Sequence, residues 1–264
     1  MSRETYMSEF AAKKLICDIG KRIYQKNFVA ANDGNISVRV GPKTIITTPT
    51  GVSKGFMRPD MMVKMDLDGK VVSGKYRPSS EVKMHLRVYK ENKDVNAVVH
   101  AHPPVATSFA IAGVSLEQPI SPEAVVLLGK VPVAPYATPG TEEVPDSIAP
   151  YTKDYNAVLL ANHGALTWGK DLIEAHYRME ALEHYAQMLM YTNNIMQKAN
   201  ELNCEQISDL IGIRHKLGIK TGGVPACEVK DKPQETKEPP QTAKEQTIEA
   251  IVKSVTEKVL RNLQ

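Results

Sequence analysis

Residues 95–104 constrain this chain more than any other stretch. Val95-Asn96-Ala97-Val98-Val99-His100-Ala101-His102 is largely apolar and β-branched up to its histidines, and Pro103-Pro104 stops it. Such a run reads as a strand. Side chains alternate faces there with period two, so His100 and His102 point the same way. Two imidazoles side by side at a strand end can share one metal ion, and imidazole suits Zn²⁺, Cu²⁺, Ni²⁺ and Fe²⁺. Two hydrogen-bonded surface histidines would look the same, so the rest of the chain has to decide.

The surrounding pattern mixes hairpins with helices. Phe10, Leu15, Ile16, Ile19, Ile23 and Tyr24 recur at helical spacing and predict a helix over 8–27. Ile36–Val40 alternates like a strand, Gly41-Pro42 turns, and Thr44–Thr48 reads as its hairpin partner. Met61–Leu67 and Lys70–Ser73 flank Asp68-Gly69, a tight-turn dipeptide. Val82, Leu86 and Tyr89 predict a helix capped by Ser79 or Ser80, with Glu81 in its first turn. Pro104–Ala112 predicts a short helix, the prolines of Val131–Pro135 predict an edge strand, and residues 141–150 begin another helix. Ala157–Ala161 is an apolar run of strand length that delivers Asn162-His163-Gly164, and a long helix follows over about 170–200. This mixture argues for α+β, or for α/β with a mixed sheet.

Composition narrows the function. The 264 residues are 42% hydrophobic and 24% charged, which suits a globular domain able to bury a sizeable core. A net charge of +3, with no Lys/Arg face interleaved with aromatics, argues against nucleic-acid binding. No apolar run approaches the ~20 residues of a membrane span. The first residues lack the apolar core of a signal peptide. Three dispersed cysteines, Cys17, Cys204 and Cys227, fit a reducing cytoplasm better than a disulfide framework. The sequon Asn35-Ile36-Ser37 is discounted because no secretory signal accompanies it.

A catalytic zinc site usually takes three protein ligands and keeps one position open. His163, at the end of another strand, is the natural third histidine. His85, His176 and His184 fall within helices among apolar neighbours, and His215 has no evident partner. Glu81 is the obvious carboxylate: it could ligate the metal, act as a base, or do each in turn. Ser79-Ser80 open a helix, where free N–H groups and the dipole favour an anion. Gly34-Asn35 and Thr50-Gly51 are loop positions where backbone can approach a ligand closely. A phosphate and a carboxylate beside a metal suit carbanion chemistry on a phosphorylated ketose. There a metal polarises the carbonyl and stabilises an enediolate while the carboxylate moves the proton.

Taken together, Gly34–Arg39, Thr48–Gly51, Pro78–Glu81, Ala97–His102, Ala134–Ala137 and Asn162–Gly164 resemble the class II aldolase/adducin family, in its order and at about its spacing, over roughly residues 8–223. The resemblance runs closest to the branch that cleaves L-fuculose 1-phosphate. It implies an α/β fold with a central, mostly antiparallel sheet flanked by helices, and a C4 homotetramer. It implies one Zn²⁺ per chain on His100, His102 and His163, with Glu81 as a further ligand that leaves the metal to act as acid/base. It implies a phosphate held by Asn35, beside Gly34, and by Thr50, Gly51, Ser79 and Ser80. The reaction implied is reversible cleavage to dihydroxyacetone phosphate and L-lactaldehyde, with L-rhamnulose 1-phosphate as a possible second substrate. A pentulose-phosphate epimerase, a methylthioribulose-phosphate dehydratase and a non-enzymatic scaffold are the alternatives. The aldolases carry a tyrosine where this chain has Ser121 and a second near Leu217, so the aldehyde side departs from the pattern. Glu123 could take over acid/base work there, or simply begin a helix.

After about Gly223 the composition changes. Residues 224–246 are rich in Pro, Lys, Glu, Gln and Thr and read as a disordered linker. Ile248, Ile251, Val252, Val255, Val259 and Leu263 then form the stripe of an amphipathic helix over 247–264. A lone helix of that length is marginal in water, so it folds against its own core, against a copy of itself, or into a partner's groove. The tail resembles the encapsulation peptides of enzymes packed inside bacterial microcompartments. That implies a shell-protein partner for residues 247–264 and a cytoplasmic location within such a compartment.

Overall fold

The computed structural model describes residues 6–227. An eight-stranded sheet runs through it in the order β4-β3-β2-β1-β5-β8-β7-β6. The strands are β1 (Asn35–Gly41), β2 (Thr44–Thr47), β3 (Val63–Asp66), β4 (Val71–Ser73), β5 (Ala97–Ala101), β6 (Val133–Ala134), β7 (Ala157–Leu160) and β8 (Gly164–Gly169). Every neighbouring pair is antiparallel except β6 with β7, which matches the expected mostly antiparallel sheet. The helices are α1 (Glu9–Gln25), α2 (Val82–Glu91), α3 (Pro104–Ala112), α4 (Pro122–Leu127), α5 (Glu143–Ile148), α6 (Leu172–Met190) and α7 (Cys204–Lys216).

Strand alternation sorts the core into two layers. In β5, Ala97, Val99 and Ala101 join the cluster built on α1, α3 and α6. Val98 points the other way, into the cluster that holds Val82, Leu86 and Tyr89 of α2 and Val144 and Ile148 of α5. Helices therefore cover both faces, and His100 shares the α2 face with Val98. Asn35 pairs with His100 across β1 and β5, and His100 pairs with Leu166 of β8. Asn35 and Ser37 are both fully buried, which removes the sequon from consideration.

Several expectations are refined. The expected helix over 8–27 is α1, whose N-cap Ser8 accepts a hydrogen bond from the Ala11 N–H. The long helix after residue 170 ends at Met190 and loosens into a wider turn over Tyr191–Ile195. Strand β8 and helix α7 were not anticipated. The cysteines need a correction: Cys204, at the start of α7, is disulfide-bonded to Cys227, and only Cys17 is free. The chain returns from α7 so that the two Cα atoms lie 5.3 Å apart, a closeness that spacing in sequence cannot reveal. Residues 224–227, assigned to the linker by composition, are thus fastened to α7. The rest of the linker and the amphipathic stretch 247–264 lie outside the described residues. No described helix is long and apolar enough to cross a membrane.

Candidate active site

One end of the sheet gathers the predicted residues. His100 ends β5, His102 lies just beyond it, and His163 sits in the turn between β7 and β8. That turn depends on Asn162, which takes φ 59°, a left-handed conformation Asn tolerates better than most residues. The three rings converge, with centroids 4.8–5.0 Å apart. One ligand nitrogen from each lies within 4.8 Å of the others.

The geometry fits a divalent metal. The His100 Nδ1–H donates to the Ala165 carbonyl at 2.9 Å, which leaves the Nε2 lone pair facing the cluster. His102 turns its Nδ1 toward Asp33 Oδ2 at 3.4 Å and its Nε2 toward His100 Nε2 at 3.1 Å. Two imidazoles on one tetrahedral zinc place their nitrogens about 3.3 Å apart. Burial pulls both rings below the usual imidazole range, which favours the neutral form a metal requires. Gly164 makes the convergence possible: a Cβ there would lie 2.5 Å from His102 Cδ2 and 2.7 Å from the Ala101 carbonyl oxygen.

Glu81 faces the same point. Its Oε1 is 3.0 Å from His163 Nε2 and its Oε2 is 3.6 Å from His100 Nε2, while the Asn35 amide donates to Oε2 at 2.8 Å. Burial would raise its pKa, but the imidazoles of His100, His163 and His102 outweigh burial and hold it well below the usual carboxylate range. The sequence places Glu81 in the first turn of α2 behind a Ser79 or Ser80 cap; in the structure Glu81 is itself the N-cap residue, in helical conformation, and makes no side-chain cap.

A cleft of about 220 Å³ opens beside these groups. Its lining brings together Gly34, Thr50, Gly51, Ser79, Ser80, Glu81, His102 and His163. Asn35 is buried behind it, donating to Ser79 Oγ at 3.4 Å. A bridge between Pro49 and Pro78 holds the two turns together, with the Thr50 N–H on the Arg77 carbonyl and the Ser79 N–H on the Thr48 carbonyl. This contact consumes donors that the sequence reading left for an anion. The Glu81 N–H goes to Ser79 Oγ and the Val82 N–H to the Ser79 carbonyl.

Ser121 and Glu123 lie elsewhere. Ser121 caps α4, accepting from the Ala124 N–H at 3.2 Å and donating to Glu123 Oε2 at 3.3 Å, and neither residue lines the cleft. Leu217 follows α7 and is exposed. His85 and His176 are fully buried outside the cluster, His184 is exposed, and His215 closes α7. Burial pushes His85 down to about 3, so it is neutral. Sequence reasoning missed Asp33, which orients His102, and Lys54, which lines the cleft. Asp33 sits in a loop and Lys54 opens a single 3-10 turn, Lys54–Phe56, and neither carries a periodic signal.

Comparison with known proteins places this architecture. Residues 14–190 match the Class II Aldolase and Adducin N-terminal domain. An L-fuculose phosphate aldolase of Methanocaldococcus jannaschii is 35% identical over 178 residues, covering 67% of this chain and 95% of the relative. A 3-oxo-tetronate 4-phosphate decarboxylase of Haemophilus influenzae is 31% identical over 209 residues, covering 77% of this chain and 98% of the relative. A solved L-fuculose 1-phosphate aldolase superposes with a TM-score of 0.72 at 29% identity, covering 81% of this chain and 99% of that one.

Proposed function

Since this chain belongs to the class II aldolase and adducin family, we propose that it is a metal-dependent lyase that reversibly cleaves L-fuculose 1-phosphate, and L-rhamnulose 1-phosphate as a second substrate, to dihydroxyacetone phosphate and L-lactaldehyde. The observation that carries this reading is the convergence of three imidazoles and Glu81 beside the cleft that also holds Thr50, Gly51, Ser79 and Ser80. His100, His102 and His163, with Glu81, would hold one Zn²⁺ per chain. A divalent cation held there supplies a Lewis acid for the carbonyl and hydroxyl oxygens of the substrate.

The chain's own residues provide the rest. Asn35, Thr50, Gly51, Ser79 and Ser80 bind the phosphate and fix the distance from it to the histidines. Cleavage removes the proton of the 4-hydroxyl, breaks the C3–C4 bond and returns a proton to carbon 3. Glu81 is the carboxylate in the cleft that can accept and return it. Asn35, donating to Glu81 Oε2 at 2.8 Å, holds that carboxylate in place.

A second reading is favoured by Ser121. The aldolases this chain resembles have a tyrosine there, and here the hydroxyl is engaged in capping α4. A 3-oxo acid carrying a 4-phosphate would need the same metal, phosphate and proton-transfer groups, but would release CO₂ and require no donor for an aldehyde. The curated relative that acts as a 3-oxo-tetronate 4-phosphate decarboxylase supports this reading.

Product analysis on metal-loaded enzyme decides between them. L-Lactaldehyde with dihydroxyacetone phosphate marks the aldolase, and CO₂ with dihydroxyacetone phosphate marks the decarboxylase. Turnover without C–C cleavage points to an epimerase or dehydratase. A metal-free active enzyme would refute the site assignment. For assembly, the reading is a C4 tetramer with residues 247–264 docking on a microcompartment shell protein. Deleting 228–264, which spares Cys227, should leave activity and tetramers intact while dispersing the enzyme from shells. Loss of tetramers on that deletion would contradict it.

A further inference from the structure

Lys54 is 1% exposed, yet it is among the residues that line the cleft. Its ammonium donates to the backbone carbonyls of Asn32 and Val52, each at 2.8 Å. An ammonium carries three N–H groups, so one remains after those two bonds. Neither of these partners is a carboxylate. A buried cation without a carboxylate partner is costly, and an arrangement that retains one implies an anion that arrives from outside.

The cleft supplies the reason. Lys54 is the one cationic side chain among the described residues that line it, whereas Asp33 and Glu81 contribute negative charge. The helix end that would otherwise receive a phosphate has spent the N–H groups of Ser79, Glu81 and Val82 on internal partners. The Thr50 N–H is spent as well, on the Arg77 carbonyl. What remains of the cradle is neutral hydroxyls and backbone N–H groups, and these do not offset the charge of a dianion.

We propose that Lys54 is the substrate-binding cation of this cleft, directing its third N–H to the phosphate of the bound substrate while its other two hold the Asn32 and Val52 loops in register. The assignment rests on the reading of the cleft as a phosphate site. It goes beyond that reading by naming the group that supplies the charge. Burial also pushes the Lys54 amine down to about 8, against the pull of Asp33 and Glu81, as expected for a cation awaiting its counter-ion.

The test uses the metal-loaded full-length enzyme and inorganic phosphate as the probe, with affinity measured by calorimetry at fixed ionic strength. Lys54→Gln keeps N–H donors for the two carbonyls and removes the charge. Lys54→Met keeps the stem and removes both, and Lys54→Arg retains the charge. The expected result is phosphate binding weakened at least tenfold in Lys54→Gln and Lys54→Met and less in Lys54→Arg. Metal content and the affinity for uncharged dihydroxyacetone should be unchanged. A purely structural lysine would instead spare Lys54→Gln or weaken both ligands together, and either result overturns the proposal while the phosphate reading stands. If the wild type holds metal but binds no phosphate, both fall. Should Lys54→Met fail to fold, the Lys54→Gln and Lys54→Arg pair carries the same comparison.

Discussion

Gly164→Ala offers a steric probe of the metal centre. A Cβ at position 164 would lie 2.5 Å from His102 Cδ2, 2.7 Å from the Ala101 carbonyl oxygen and 3.3 Å from His100 Cε1. Carbon atoms rest about 3.5–4.0 Å apart, so the His102 ring would have to retreat by about 1 Å. The backbone at Gly164 does not have positive φ, so alanine meets no torsional penalty and the effect is purely one of space. Metal–ligand distances tolerate only about 0.2 Å. Displacing a ligand ring should therefore cost at least as much as removing a group that merely orients one, about 10–100-fold in metal affinity, or about 1.4–2.8 kcal/mol. Crowding should lower fold stability by a further ~1–3 kcal/mol. Gly51→Ala is the control. Its φ of +71° strains alanine, but nothing lies within 4 Å of the added Cβ. That variant should lose about 1–2 kcal/mol of stability and keep its metal. Zinc affinity by chelator competition, read beside a melting curve, separates the two effects. A Gly164→Ala enzyme with wild-type zinc affinity would refute the assignment of the three histidines to one ion.

Glu81→Gln should retain phosphate binding and lose about 10²–10⁴-fold in kcat, the range for a removed acid/base group; steady-state kinetics beside phosphate calorimetry checks it, and near-normal turnover would remove Glu81 from proton transfer. Lys54 is an ammonium below about 8 and neutral above it, so affinity for dihydroxyacetone phosphate should fall as pH rises through about 8. The ester is already a dianion there, its second pKa being about 6; a Lys54→Gln enzyme should show no such fall, and a matching fall in both would clear Lys54. Cys204→Ser opens a link between residues 23 apart, worth about 3 kcal/mol in the loop-closure model. Denaturant titrations should show that loss without change in activity, and the wild type with reductant should match the variant; equal stability throughout would show that the link contributes nothing.

How much of this was legible depended on whether a feature was local. The His100–His102 pair could be read because strand periodicity fixes where neighbouring side chains point, and β5 obeys it: Val98 and His100 face α2 while Ala97, Val99 and Ala101 face α1, α3 and α6. His163 was legible because an unbroken apolar run, now β7, leads to it. Strand β8 was not, because Gly164-Ala165-Leu166-Thr167-Trp168-Gly169 begins at once after a turn, and its two glycines imitate loop sequence. The pairing of Cys204 with Cys227 and the burial of Lys54 depend on segments far apart in sequence. For Lys54, two carbonyls from separate loops must meet around one amine before its position has any meaning.

The Ser79–Ser80 turn shows how such tertiary contact alters the chemistry. Read locally, it is a helix start with free N–H groups. In the fold, the Pro49–Pro78 bridge turns the Ser79 N–H onto the Thr48 carbonyl and leaves Glu81 as the N-cap. The same bridge sets the Thr50 turn beside the Ser79 turn, so one contact both shapes the cleft and withdraws donors from it. The two ends of the site therefore differ in kind. The metal end is made by strand ends and a tight turn, with His100 fully buried and Gly164 leaving no slack. The phosphate end is made by turns whose Thr50, Gly51 and Ser80 are exposed and whose charge must come from a side chain that reaches them from beneath. Rigid burial suits the group that must hold a coordination geometry to a fraction of an ångström. Exposed turns suit a group that must admit and release a charged substrate at every turnover. Lys54 reconciles the two demands, because its stem is buried with the rigid part while its free N–H belongs to the open one.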